Sequence, residues 1–497
     1  MIKTINKIAL SLAAAIVLFQ SCSEKDLVEL KPEFSLDALS NPSSMKQVEE
    51  VLIGAYAGFR DGNYYGSGSG TGGGWALMPD VLSDNLYETL ESLANSRTMA
   101  DWIYNSSTGQ VSTFYSSPYV VVARANIVLR DVDKYTTTAN QKQANRLKGQ
   151  AYAMRALAHF DLLRYFATSY DRSSTTVLAM PYVKEFQVST AVKPSRLTNK
   201  EYYDLLFADL AAALPLLSNT DIVLNPTTGL SRPYIDLATV YAIQARAYLY
   251  AGMWPEAITA ATNAIGVRPL VNLNQTAFSG MYNQTNAGEI IWNVQFESGQ
   301  SGPTFLAYFA TSNRNYFRPA LEVATTTGTS GLIQSNDIRY TAYFSTIGTG
   351  LALTKYKGKN AVVDGNANFI AFHTGEMYLI RAEAEAKNSQ EGPALTDLNA
   401  LRSARINGYV PLVGVTGQPL LDAIAIERRR ELVGEGHRFF DLKRTTRTIV
   451  RGSTCGNTSV SPAGNCTLSS TAREWTMPIP ESVIRANNNL KQNDGYN

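Results

Sequence analysis

Glu427 and Glu431 stand four positions apart in ERRREL, a spacing that puts both carboxylates on one helix face. Two acids about 5–10 Å apart are what glycoside hydrolysis requires. Here Arg428 and Arg430 lie between them, and cations so placed turn an acid pair into ion pairs. The pair therefore reads as structural. His159, His373 and His437 are isolated from one another and offer no zinc spacing, and His437 reads as a buried structural residue. With no G-x-S-x-G and no phosphate-cradling loop, no catalytic residue and no metal ligand is expected. No cofactor is called for, and a calcium ion is left open.

One cysteine invites a different chemistry. Lys3 and Lys7 precede an apolar run from Ile8 to Phe19, followed by Gln20, Ser21 and Cys22. A membrane span needs roughly 20 apolar residues; this run is shorter and has the shape of a secretory signal. Ser21-Cys22 resembles a bacterial lipobox, in which the cysteine is acylated and becomes the new N-terminus. Acylation there would hold the mature chain on a membrane with no transmembrane helix. The polar SEKD after it suggests export to the cell surface. Cys455 and Cys466 are then left as a pair flanking GNTSVSPAGN, and in an oxidising compartment they are expected to form a disulfide, the alternative being two free thiols.

The full chain of 497 residues carries 44 basic and 42 acidic residues. Removing residues 1–21 takes away two lysines, so the mature chain is neutral. Nothing in that balance points to nucleic acid. The 27 tyrosines suit polar ligand surfaces as well as cores.

The elements that must position these residues are mostly helical. Leu147, Ala151, Met154, Ala158, Leu162 and Tyr165 step by threes and fours, which predicts a long helix over 141–168, preceded by one over 117–134. In ARAYLYAGMWPEAITAATNAIGVRP, Gly252, Trp254, Ala257, Ala264 and Pro269 have tetratricopeptide-repeat spacing. Residues 374–405 predict a further helix pair, with Pro393 in a first helical turn. Such units stack, so the fold class is mostly α: a tetratricopeptide-like solenoid with a loop-rich second subdomain. The expected organisation is signal peptide 1–21, anchor and linker 22–45, helical repeats 46–266 with a ligand loop at 62–87, a loop-rich subdomain 267–370, and a helix pair with the C-terminal motifs over 371–497.

Two C-terminal stretches, AIERRRELVGEGHRFFDLKRT (425–445) and MPIPESVIRANNNLKQNDGYN (477–497), together with RALAHFDLLRYFA (155–167), the lipobox-like start and the repeat helices, resemble the SusD/RagB family of outer-membrane lipoproteins. The resemblance runs along essentially the whole chain. It implies a nutrient-binding lipoprotein of the Bacteroidetes type that sits on a SusC-type, TonB-dependent transporter, with no catalysis. The ligand it implies is a glycan, or an oligopeptide in the RagB branch.

Sugar sites pair an aromatic platform with amides, carboxylates or guanidinium groups. Two stretches offer that mixture. The first supplies Tyr65, Trp75, Asp84, Asn85 and Tyr87 around a glycine-rich run; the second supplies Trp292, Tyr308, Asn313, Arg314 and Tyr316. Trp75 and Tyr316 are the expected platforms, and Trp254 is expected in the core. A ligand-free scaffold of the tetratricopeptide type is the other reading.

Overall fold

The structure is a computed structural model that describes residues 40–66, 74–75, 77–186, 191–226, 229–296, 300, 302, 314–348, 350–360, 362–461 and 464–496. Cys22, Tyr308 and Asn313 lie outside the described residues.

Helices dominate. α1 (Met45–Phe59), α2 (Gly109–Asp131), α3 (Gln141–Phe166) and α4 (Asn199–Leu217) pack each against the next. α5 (Leu237–Ala251) and α6 (Trp254–Val267) form the repeat unit read from the sequence. Asp236 caps α5 by accepting from the Thr239 N–H, and Gly252 ends it in the left-handed region at φ 70°, where a side chain would be strained. Ala257, Ala261 and Ala264 are fully buried, so the two helices approach closely. Trp254 is only half-buried, at the mouth of the turn.

After α7 (Gln275–Asn283) come α8 (Thr374–Lys387) and α9 (Glu391–Arg405), the second predicted pair, with α8 packed on α6. α10 (Gly417–Glu431) and α11 (Arg438–Arg444) carry the C-terminal motif. Among the described residues no helix is long and apolar enough to cross a membrane.

α2 begins eight residues before its expected start and carries Pro118 inside it. Ser, Thr and Gly over 109–117 argue for loop by propensity. Burial of Val111, Phe114 and Tyr115 against neighbouring helices overrides that preference.

The loop-rich region contributes short antiparallel pairs. β1 (Leu86–Glu88) pairs with β3 (Phe317–Pro319), and β2 (Ile290–Val294) with β6 (Phe369–His373). β4 (Phe344–Ile347) and β5 (Gly350–Leu353) form a hairpin, and β7 (Ile449–Val450) pairs with β8 (Thr467–Leu468). β2 and β6 are buried along their whole length.

Candidate functional site

The β1–β3 ribbon joins the two stretches singled out for ligand chemistry. In its register Leu86 faces Pro319, Tyr87 faces Arg318 and Glu88 faces Phe317. Successive strand residues point to opposite faces, and the burial follows: Leu86, Glu88, Phe317 and Pro319 are inside while Tyr87 and Arg318 look outward. The alignment continues one step further, where the Thr89 N–H donates to the Tyr316 carbonyl at 2.9 Å. Tyr316 is half-buried and Arg314 exposed, both on the outward side. Tyr87, Arg314 and Tyr316 are thus brought together.

Sequence reasoning gave Glu91 no site role, whereas Arg318 is one of the planar donors that the NRNYFR run offers beside its rings. Glu91 Oε1 lies 3.2 Å from Nη2 of Arg318, and Oε2 accepts the Asn315 N–H at 2.7 Å. A second Arg318 donor, Nη1, reaches the Leu351 carbonyl of the β4–β5 hairpin at 3.1 Å. The out-in alternation of Tyr316, Phe317, Arg318 and Pro319 was the available signal. A small cleft beside Tyr87 is walled by Asp84, Leu86, Arg451, Thr454 and Cys455. Cys455 is joined to Cys466 by a disulfide.

The other expected site residues go inside. Trp75 is 1% exposed and enclosed by Tyr165, Tyr64, Phe440 and the Arg164 guanidinium, leaving no open ring face for a sugar. Tyr65 stacks on Tyr64, and both hydroxyls donate to the buried carboxylate of Asp161 at 2.6 and 2.7 Å. The Trp75 N–H donates to the Tyr64 carbonyl at 2.6 Å, so the two ends of the glycine-rich stretch meet. Trp292 is fully buried, its ring edge on Phe59 and its Nε1–H on the Pro233 carbonyl. These four aromatic side chains bury area that the core needs more than a loop does.

Asp84 and Asn85 have a different task. Asp84 accepts from Nε and Nη2 of Arg438 at 2.8 and 3.0 Å, and Arg429 lies 3.1 Å away. Burial pushes its carboxyl upward, but the Arg438 hydrogen bonds and the charges of Arg429 and Arg438 prevail and hold it below the usual range. Asn85 donates to Asp80 at 2.7 Å and accepts from Arg429 Nε at 2.8 Å. Burial lifts the Asp80 carboxyl to about 6.

The Glu427/Glu431 pair is fully buried. Arg339 bridges the two at 2.7 and 2.8 Å, Arg402 and Arg430 hold Glu427, and Arg405 holds Glu431. Of the two arginines expected to intervene, Arg430 serves the pair. Arg428 turns instead to Asp441. Burial works against both carboxylates' charge, yet the surrounding arginines keep both below the ordinary glutamate range. Such acids hold no proton to donate near neutrality. His437 is buried, and desolvation with the nearby Arg246 and Arg428 charges drives it well below its ordinary value.

Among the described residues, one group of three has spacing for a cation: Glu289, His373 and Glu431. Arg405 already stands between its acids, with Nη2 2.6 Å from Glu289 and 2.8 Å from Glu431. The internal cation is a guanidinium.

Comparison with known proteins agrees with this architecture. The SusD family model matches residues 303–496, and a model described as starch-binding associating with outer membrane matches residues 71–249. The chain belongs to the SusD family. A SusD-like protein of Formosa agariphila is 24% identical over 407 residues, covering 70% of this chain and 76% of that protein. The crystal structure of a SusD superfamily protein from Bacteroides thetaiotaomicron superposes with a TM-score of 0.75 at 22% identity, covering 90% of this chain and 99% of that one. A laminarin-binding SusD-like protein gives 0.62 at 19% identity, covering 91% of this chain and all, 100%, of the other. This SusD-family fold is the mostly helical, tetratricopeptide-like architecture expected from the sequence.

Proposed function

We propose that this SusD-family chain captures neutral oligosaccharide on the outward face of the β1–β3 ribbon and passes it, without chemistry, to a SusC-type TonB-dependent transporter. Lipid on Cys22 would hold it at the outer membrane, facing the cell exterior. The observation that carries the reading is the pairing of Tyr87 with Arg318 next to Tyr316. Two rings and a guanidinium, drawn from segments far apart in sequence, share one accessible face. A pyranose lays its CH face on an aromatic ring while its hydroxyl oxygens accept from N–H donors. The starch-binding description of one matching family model and the laminarin-binding structural neighbour support an α- or β-glucan as the first ligands to try.

The test is calorimetric titration of residues 23–497 with maltoheptaose and with laminarihexaose. Saturable binding to one of them, weakened at least about tenfold by Tyr316→Ala or Tyr87→Ala, is expected. Binding that neither substitution changes would remove the ribbon from the reading. Absence of binding by the folded protein to both glucans would remove the neutral glucan.

A further inference from the structure

Arg318 is fixed from three sides. Its Nη2 meets Glu91 at 3.2 Å, its Nη1 donates to the Leu351 carbonyl at 3.1 Å, and Gly350 leaves room for it. A Cβ at Gly350 would lie 2.7 Å from Nη1, closer than side-chain atoms come. A guanidinium has five N–H donors. The two bonds just named leave three, and the register sets Arg318 opposite Tyr87 on the ribbon. The Glu91 and Arg318 side chains retain 38% and 13% of their exposure. The guanidinium therefore presents donors to a ligand while its charge is already matched.

The turn that delivers Glu91 is itself under strain. Leu93 and Ala94 both adopt left-handed backbone, at φ 55° and 62°, a conformation that costs side-chain-bearing residues free energy and gathers at functional positions. Thr89 anchors the near side of the turn, its N–H and hydroxyl donating to the Tyr316 and Asn315 carbonyls. Glu91 accepts the Asn315 N–H in return. One short turn thus sets both the path of the chain into β3 and the charge beside Arg318.

We propose that Glu91 is a positioning and specificity-determining residue: by neutralising Arg318 it tunes the ribbon to uncharged saccharides and turns away those bearing carboxylate or sulfate. The inference rests on the ribbon being the glycan site. An anionic sugar at Arg318 would have to share the guanidinium with the Glu91 carboxylate, and that repulsion is the means of rejection. A neutral sugar needs only the remaining N–H groups. Arg314, exposed beyond Tyr316, is a further cation on this face, and Arg451 walls the cleft beside Tyr87; in open solvent the Arg314 charge is screened and selects weakly.

The experiment compares dissociation constants of residues 23–497 for maltoheptaose, for laminarihexaose and for each after oxidation of its C6 hydroxymethyl groups to carboxylates. Wild type is expected to favour a neutral form. Glu91→Gln should shift the neutral-to-acidic ratio toward the acidic form by about three- to tenfold. Gly350→Ala, which displaces the guanidinium without altering charge, should weaken both forms alike. Should Glu91→Gln fail to fold, raising the salt concentration with wild type must narrow the ratio, since the repulsion is screened. Three results overturn the inference: a wild-type preference for the acidic form, a ratio unmoved by Glu91→Gln, or a ratio indifferent to salt. An unmoved ratio together with loss of all binding in Arg318→Ala would leave the ribbon standing as the site. Absence of binding by wild type to all four probes would remove both readings.

Discussion

Asp84 receives both Nε and Nη2 of Arg438 across 354 positions of sequence, at 2.8 and 3.0 Å. The turn leading into β1 is therefore fastened to the C-terminal motif. Arg429, reaching the Asp84 carbonyl and the Asn85 side chain, adds a second fastening from α10. The family's C-terminal motif acts here as the support on which an outward-facing strand is held.

Arg438→Ala should cost about 2–3 kcal/mol, because it leaves a largely enclosed carboxylate with one partner fewer. Urea unfolding measures it. The same substitution should weaken saccharide binding, although Arg438 is not on the outward face; binding unchanged in the folded variant would show that the clamp does not position β1.

Trp75→Ala and Tyr316→Ala should separate the frame from the site. Removing the enclosed indole is expected to cost about 3–5 kcal/mol. Removing the half-buried Tyr316 ring should cost less in stability and more in binding. Thermal unfolding beside calorimetry reads both, and a stable Trp75→Ala that lost binding alone would reverse the assignment.

Stability should also depend on Glu385. Burial, with Asp397 nearby, lifts this carboxyl to about 7 in the folded chain, above its ordinary value near 4.5. Between those values the folded state holds the extra proton. The contribution is therefore present at pH 4.5 and is lost as pH rises through 7. Glu385→Gln, which cannot ionise, should be more stable than wild type at pH 8 and similar at about pH 4, below the unfolded value, by unfolding at both. An equal difference at the two pH values would count against it.

The disulfide lends itself to a simple check. Replacing Cys455 and Cys466 by serine should cost about 2–3 kcal/mol, the range for closing a short loop. It should also loosen the cleft wall beside Tyr87, seen as faster proteolysis within 452–466. Unaltered cleavage would mean that the surrounding contacts hold the segment alone.

Cys22→Ala should release the protein from the outer-membrane fraction without changing saccharide affinity. Fractionation and calorimetry test the two halves separately. Persistence in the membrane would transfer anchoring to another part of the chain.

The helix pairs were legible because local rules decide them: Gly252 stops a helix by its own backbone freedom, and the small alanines after Trp254 permit close packing. The site was half legible. The segment through Tyr316 and Arg318 shows its alternation in sequence, and the structure gives it a partner strand. Trp75 misled, since glycine neighbours suggest a surface loop, whereas Tyr165 and Phe440 that enclose it come from distant helices. Asp84 and Asn85 look like ligand groups until Arg429 and Arg438 are placed beside them. Residue type reveals what a side chain can do; its long-range neighbours decide whether it is available.

The hydrogen bond between the Trp75 amide and the Tyr64 carbonyl gives this scaffold a way to vary. Both ends of the intervening stretch are seated in the core, one through the tyrosine hydroxyls on Asp161 and the other through the indole among Tyr165 and Phe440. Lengthening the stretch adds loop entropy that grows only with the logarithm of its length. Descendants of this chain can therefore change the number of residues between Tyr64 and Trp75 while both ends stay clamped, as a tool changes its bit and keeps its chuck.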